Sequence, residues 1–156
     1  YLEVLSNVYL FFLIDLFDYS LKRQIYNPSK IYCIDTAMSS SISFKFSHNR
    51  GHFYENVVFL ELMRKNEEIF YWKSKRGREV DFVTKKGLKI DTAIQVTLSL
   101  ADKKVRDREI QSLVEAKEDL NPKHLIILTE DEEGNEIIGN AKIKILPLWK
   151  WLIRFE

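Results

Sequence analysis

The 156-residue chain holds one cysteine, Cys33, which excludes an intramolecular disulfide and a cysteine-rich zinc module and makes a reducing cytoplasm the expected compartment. Long hydrophobic runs are missing too. The most apolar stretch, VYLFFLIDL at 8–16, is half as long as a membrane span and contains Asp15, so it reads as a core strand. No Gly-rich phosphate loop, repeat or low-complexity tract occurs, and no Ser/His/Asp or Cys/His arrangement stands out. The opening YLEVLSNVYL lacks an initiating Met, a basic head and a cleavage site, and reads as a piece cut from a longer protein. Net charge is +1, so attraction to a polyanion has to be local.

With 46% apolar and 13% aromatic residues, the chain can bury the core of one domain with a small appendage. Its charge is uneven. Residues 73–89 carry seven basic side chains against two acidic ones, whereas 130–136 carry five acids and no base. Three basic groups sit beside aromatics or turns: Lys22, Arg23 and Lys30 near Tyr19 and Tyr26, Lys73, Lys75 and Arg76 near Tyr71 and Trp72, and Lys85 with Lys86 at a turn. Such groups either contact phosphates or are solvated turns.

The pattern predicts a helix end followed by two strands, LFFLIDLF and KIYCID, bracketing the turn SLKRQIYNPSK. Helix, strand, basic turn and strand make up the second half of a winged-helix module. From Phe53 the order is helix (FYENVVFLELMRK), strands (IFYWKS, EVDFVTK, AIQVTLSL), helix (about 103–119), strands (HLIILTE, AKIKILPL) and a short helical turn. This is αβββαβ plus one strand. The small, Ser-rich residues 37–51 form the expected boundary, giving a winged-helix remnant at 1–36 and an α/β domain at 37–156.

Several polar residues do not fit a plain core. In the first long helix, Tyr54, Glu61, Arg64 and Lys65 share the expected solvent face, while Glu55 has Val58, Phe59 and Leu62 at i+3, i+4 and i+7 and so lies on the apolar stripe. Strand alternation sets Glu79, Asp81 and Val83 on one face and Val80 and Phe82 on the other; in the next strand, Gln95 and Thr97 share a face. A hairpin through Lys85-Lys86-Gly87 brings Asp81 beside Gln95, and a covering helix adds Glu55. Convergent oxygens of this kind suit a hard divalent cation, Mg²⁺ or Mn²⁺. His48 and His52, four apart around Gly51, read as a loop and a cap rather than ligands, and Cys33 as a core thiol.

Glu in the first helix, Asp in the second strand and polar-x-polar in the third resemble the PD-(D/E)XK nuclease superfamily, a restriction-endonuclease-like α/β fold with an αβββαβ core and mixed sheet. More narrowly, GHFYENVVFLEL, YWKSKRGREVDFV, IQVT and PLWKWL resemble the domain at the C-terminus of archaeal P-loop ATPases of the AAA-like class, and KIYCIDTAMS resembles the end of the winged-helix segment joining the two parts. The resemblance implies that Glu55 is the helix acid and Asp81 the central metal ligand, with Val80 in place of the motif's Pro, Gln95 in place of its second acid and Thr97 in place of its Lys. Arg108 is a candidate substitute cation. The ATP site would lie in an N-terminal ATPase domain, since GxxxxGK[ST] is absent here.

Three functions follow from these readings. One is metal-dependent hydrolysis of a DNA phosphodiester, with Glu55, Asp81 and Gln95 as ligands and a displaced Lys or Arg assisting. Another is nucleic-acid binding without cutting, through Lys22, Arg23, Lys73, Lys75, Arg76, Lys85 and Lys86. The last is a docking domain for the ATPase or for another protein partner.

Overall fold

A computed structural model describes residues 10–36, 50–65 and 67–153. The expected helix end within 1–9, most of the expected boundary (37–49) and His48 lie outside these residues. The first pair of strands, β1 (Phe11–Ile14) and β2 (Lys30–Cys33), is antiparallel with Ile14 opposite Lys30. Between them the expected turn contains a short helix, α1 (Leu21–Tyr26). Asp18 accepts the Ser20 backbone N–H at its entry (2.8 Å), and Asn27, extended because Pro28 follows it, ends it.

The rest runs α2 (Arg50–Arg64), β3 (Glu68–Lys73), β4 (Glu79–Lys86), β5 (Lys89–Val96), α3 (Lys103–Leu120), β6 (His124–Thr129), β7 (Gly134–Ile138), β8 (Ala141–Pro147) and α4 (Leu148–Ile153). The strands form one six-stranded mixed sheet ordered β3-β4-β5-β6-β8-β7, in which β5, β6 and β8 are parallel and the remaining pairs antiparallel. Strand β7 was not expected. Its residues are mostly exposed, so no apolar alternation marks it, and it forms only by pairing with β8 across a turn where Gly139 takes φ +57°.

Central strands β5 and β6 are apolar on both sides because a layer covers each face. Phe82, Ile94, Val96, Ile126 and Leu128 pack with Val58, Phe59 and Leu62 of α2, while Val83, Ala93, Leu125 and Ile127 pack with Ile110, Leu113 and Ala116 of α3. Asp102 caps α3 by accepting from the Lys104 and Val105 amides. Among the described residues no helix is long and apolar enough to cross a membrane.

The β1–β2 hairpin shares the α2-side core: Ile14, Leu16 and Tyr32 are buried in it, and the Tyr32 ring stacks on Phe59 with centroids 4.7 Å apart. Each such side chain stabilises the contact by about 1.5–3 kcal/mol. The buried Asn56 amide clamps the hairpin's end, accepting from the Cys33 N–H and donating to the Cys33 carbonyl, both at 2.8 Å. Cys33 itself is buried, as expected of a core thiol.

Two local expectations are corrected. Glu61, expected on the solvent face of α2, is buried, and Arg64 (2.7 Å) and Lys65 (3.3 Å) neutralise it. Simple alternation also fails in β4. Tyr71 of β3 stands opposite both Asp81 and Phe82, because Phe70 pairs with Val83 and Trp72 with Val80. This bulge puts Val80 on the same side as Val83, against α3, while Phe82 faces α2. The unpaired extra residue re-aims the Asp81 side chain.

Candidate functional site

At the bulge, β4 and β5 splay and two side chains replace the missing ladder bonds. Gln95 Oε1 accepts the Asp81 backbone N–H (3.0 Å), and Gln95 Nε2 donates to the Glu79 carbonyl (3.1 Å) and to Glu109 Oε2. In return, Asp81 Oδ2 accepts the Val96 backbone N–H at 3.0 Å. The expected meeting of Asp81 and Gln95 is therefore present. Both groups, however, are spent on holding the fork together.

The cation of the cluster comes from an unexpected element. Lys30, the first residue of β2, places Nζ 2.7 Å from Glu79 Oε1 and 3.1 Å from Asp81 Oδ1. Tyr32, two residues on and facing the same way, donates its hydroxyl to Glu55 Oε2 at 3.5 Å. The hairpin thus lays one ammonium and one phenol over three carboxylates.

Electrostatics follow from that packing. Burial and the nearby Asp81 charge push the Glu55 carboxyl up to about 7, against the pull of Lys30. Burial also raises Asp81, opposed by Lys30 and the Val96 amide. For Lys30, burial acts downward, but Asp81 and Glu79 outweigh it and hold the ammonium above its ordinary value. The Tyr32 hydroxyl is raised by burial and by Glu55.

Glu55, Asp81, Gln95 and Arg108 line one cleft of about 580 Å³ at this end of the sheet, together with Arg76, Arg78 and Glu109. Arg108, the candidate substitute cation, lines the cleft but forms no ion pair with Asp81 or Glu55. Its guanidinium holds the neighbouring Glu109 at 2.5 and 3.0 Å, which raises its pKa, because Glu109 is buried against Gln95 and needs a counter-charge. Thr97 lies past the end of β5, outside the cleft, with its hydroxyl on the Ser99 carbonyl (3.4 Å). His52 is exposed, 3.7 Å from Glu55.

A divalent ion does not fit the donor set as it stands. One Asp81 oxygen serves an amide and the other an ammonium, and the Gln95 oxygen is taken by a backbone N–H. Among the described residues no group of three His, Cys, Asp or Glu side chains has metal-holding geometry.

The expected phosphate contacts divide in two. Arg23, Lys75 and Arg76 line a second cleft of about 790 Å³ with Phe17, Tyr19 and Trp72, and Arg76 belongs to both clefts. Lys22 is exposed on α1, and the Lys73 carbonyl accepts from Arg23. Lys85 and Lys86 lie at the far end of the β4–β5 hairpin, committed to Glu68 (3.3 Å) and to Asp91 (3.2 Å) and Glu67 (3.6 Å).

Against known proteins, the model of a domain of unknown function, DUF4143, matches residues 50–151. The chain belongs to the DUF4143 family. Over 99% of its length it is 39% identical to an uncharacterised protein of Methanocaldococcus jannaschii and 26% identical to one of Haemophilus influenzae. It spans only 36% of the length of each. A solved Thermococcus gammatolerans assembly of McrB AAA+ hexamers with bound McrC aligns over 63% of this chain and 28% of that one, at 10% identity and a TM-score of 0.43, too remote to carry an argument.

The DUF4143 match begins at α2 and leaves out the β1–β2 hairpin, which supplies Lys30 and Tyr32. Sequence reasoning read Lys30 as part of a basic turn, noted Glu109 only beside Arg108 as a pair resembling a feature of the family's second helix, and did not single out Tyr32. Only the i, i+2 spacing of Lys30 and Tyr32 on an amphipathic strand hinted that they share a face.

Proposed function

We propose that this DUF4143 chain is a PD-(D/E)XK-like fold that serves as a nucleic-acid-binding module of a longer P-loop ATPase and does not cut through a bound metal. One observation carries the reading: the Lys30 ammonium sits 3.1 Å from Asp81 and 2.7 Å from Glu79, where a hydrolytic site of this kind would hold its divalent ion. The substitutions support it. Gln95 contributes no charge, and Thr97 lies outside the cleft, so the cleft end of the third strand offers no cation to stabilise charge growing on a phosphate.

Binding rests on the surface that the two clefts share. Arg76 and Arg108 keep 85% and 67% of their side chains exposed at the rim, Lys75 and Lys22 are exposed beyond, and Tyr19 offers an exposed ring for stacking. The longer relatives leave room for an ATP-binding part outside this chain. The test is fluorescence anisotropy with single-stranded, duplex and branched DNA over a salt series, alongside incubation with Mg²⁺ or Mn²⁺. The expected result is salt-dependent binding weakened by Arg76→Ala, without cleavage. Divalent-dependent cleavage that disappears in Asp81→Ala would overturn the reading.

A second reading, docking on the ATPase part, draws on a different surface. Leu13 and Ile31 are cross-strand partners exposed on the outside of the hairpin, and Leu21, Ile25 and Tyr26 are exposed on α1. Binding that ignores salt and is lost in Ile25→Asp would favour it.

A further inference from the structure

Lys30 is not an ordinary surface lysine that happened to find an acid. Its backbone is pinned on both sides: the Tyr71 hydroxyl donates to the Pro28 carbonyl (2.7 Å), and the Asn56 amide clamps Cys33. Ser29 donates to Asp15 (2.7 Å), fixing the strand's entry. Tyr71 also offers its ring to the ammonium, with Nζ 5.5 Å from the centroid, and it is the residue opposite the bulge that re-aims Asp81. The ordering of the long side chain is thus largely prepaid by the fold. At the other end, the Asp81 carboxylate is oriented by the Val96 amide so that its free oxygen meets Nζ.

We infer that Lys30 is the resident cation of this carboxylate cluster: its tethered ammonium stands between Asp81 and Glu79 as a divalent ion stands in a metal site, and a metal enters only when that ammonium is gone. The inference deepens the binding-module reading and explains why this site would not cut. It also assigns a role to the β1–β2 hairpin, which lies outside the matched family region. Freed of the ammonium, Asp81 is an uncompensated, largely buried charge beside the half-exposed Glu79, and a hard cation neutralises such a pair.

The experiment compares thermal unfolding of the chain, Lys30→Met and the double variant Lys30→Met/Asp81→Asn, with and without Mn²⁺, in the absence of nucleic acid. Lys30→Met is expected to melt lower than the parent in EDTA and to gain about 5–10 °C at Mn²⁺ on the order of 100 Kd, while the parent and the double variant move by less than about 1 °C. Should Lys30→Met be unfolded in EDTA, folding on Mn²⁺ addition supports the inference, and failure to fold with Mn²⁺ overturns it. Equal Mn²⁺ responses in parent and Lys30→Met, or none in Lys30→Met, also overturn it. Because no nucleic acid is present, this outcome is independent of whether the domain binds DNA.

Discussion

The two ends of the β4–β5 hairpin carry similar residues and use them differently. At the turn end, Lys86 pairs with Asp91 five residues away and with Glu67 just before the adjacent strand, and Lys85 pairs with Glu68, with 64% of the Lys86 side chain and 56% of the Glu68 side chain left in solvent. At the open end, Asp81 is met by Lys30 from 51 residues away and by the Val96 amide, inside a covered cluster. Screening explains the difference. Surface charges are compensated by water and salt and need only neighbours, whereas charges taken out of water must be met by groups that the fold delivers.

Asp81→Ala should break the comparison most severely, costing about 3–5 kcal/mol because Lys30 loses its buried partner and the Val96 amide its acceptor. Urea unfolding measures it, and a loss under about 1 kcal/mol would put the open end in the same class as the turn end. Glu55 sharpens the contrast through pH. Burial and the Asp81 charge push its carboxyl up to about 7 from the ordinary 4.5, so the native state holds the proton longer, and the associated stability is full below pH 4.5 and lost as pH rises through about 7. Glu55→Gln should therefore match the parent at pH 4 and exceed it by about 3 kcal/mol at pH 8. Because the Asp81 charge is one of the causes that raise Glu55, the two carboxyls titrate together and the difference reports the pair. Equal stabilities at pH 8 would show Glu55 to be as solvated as the turn-end acids.

Gln95→Leu should cost about 2 kcal/mol, since the Asp81 N–H and one Glu79 carbonyl bond lose their partner at the fork. Hydrogen exchange at the Asp81 amide should rise with it, and protection equal to the parent's would mean that the fork closes without the amide. The smallest effect belongs to Lys86→Met, within about 0.5 kcal/mol and fading further with salt. A loss comparable to that of Gln95→Leu would remove the distinction between the two ends.

Much of the framework was legible in the residues. The order from α2 to β6 follows from the change between 3.6- and 2-residue periods, and the Gly87 turn, at φ +61°, joins β4 to β5 where expected. Glu55 stood out as a carboxylate on an apolar stripe, and Asp81 and Gln95 do meet across the hairpin. The register at the bulge was not legible. An extra residue opposite Tyr71 leaves no mark in a run such as EVDFV, yet it reverses Val80 and re-aims Asp81. Arg108, a candidate substitute cation in the sequence, is instead held by Glu109, whose burial against Gln95 depends on how α3 packs on the sheet and not on residue spacing.

By itself the sequence determined the elements, their order and the carboxylates and amide at the heart of the cluster, because periodicity and turn chemistry act over a few residues. Tertiary structure alone decided which cation answers those carboxylates. Lys30 and Asp81 meet only because the hairpin, clamped by Asn56 and seated by Tyr32 on Phe59, packs onto the same core as the sheet. Charge pairing out of water is set by distance and desolvation, and neither is written in the spacing of residues along the chain.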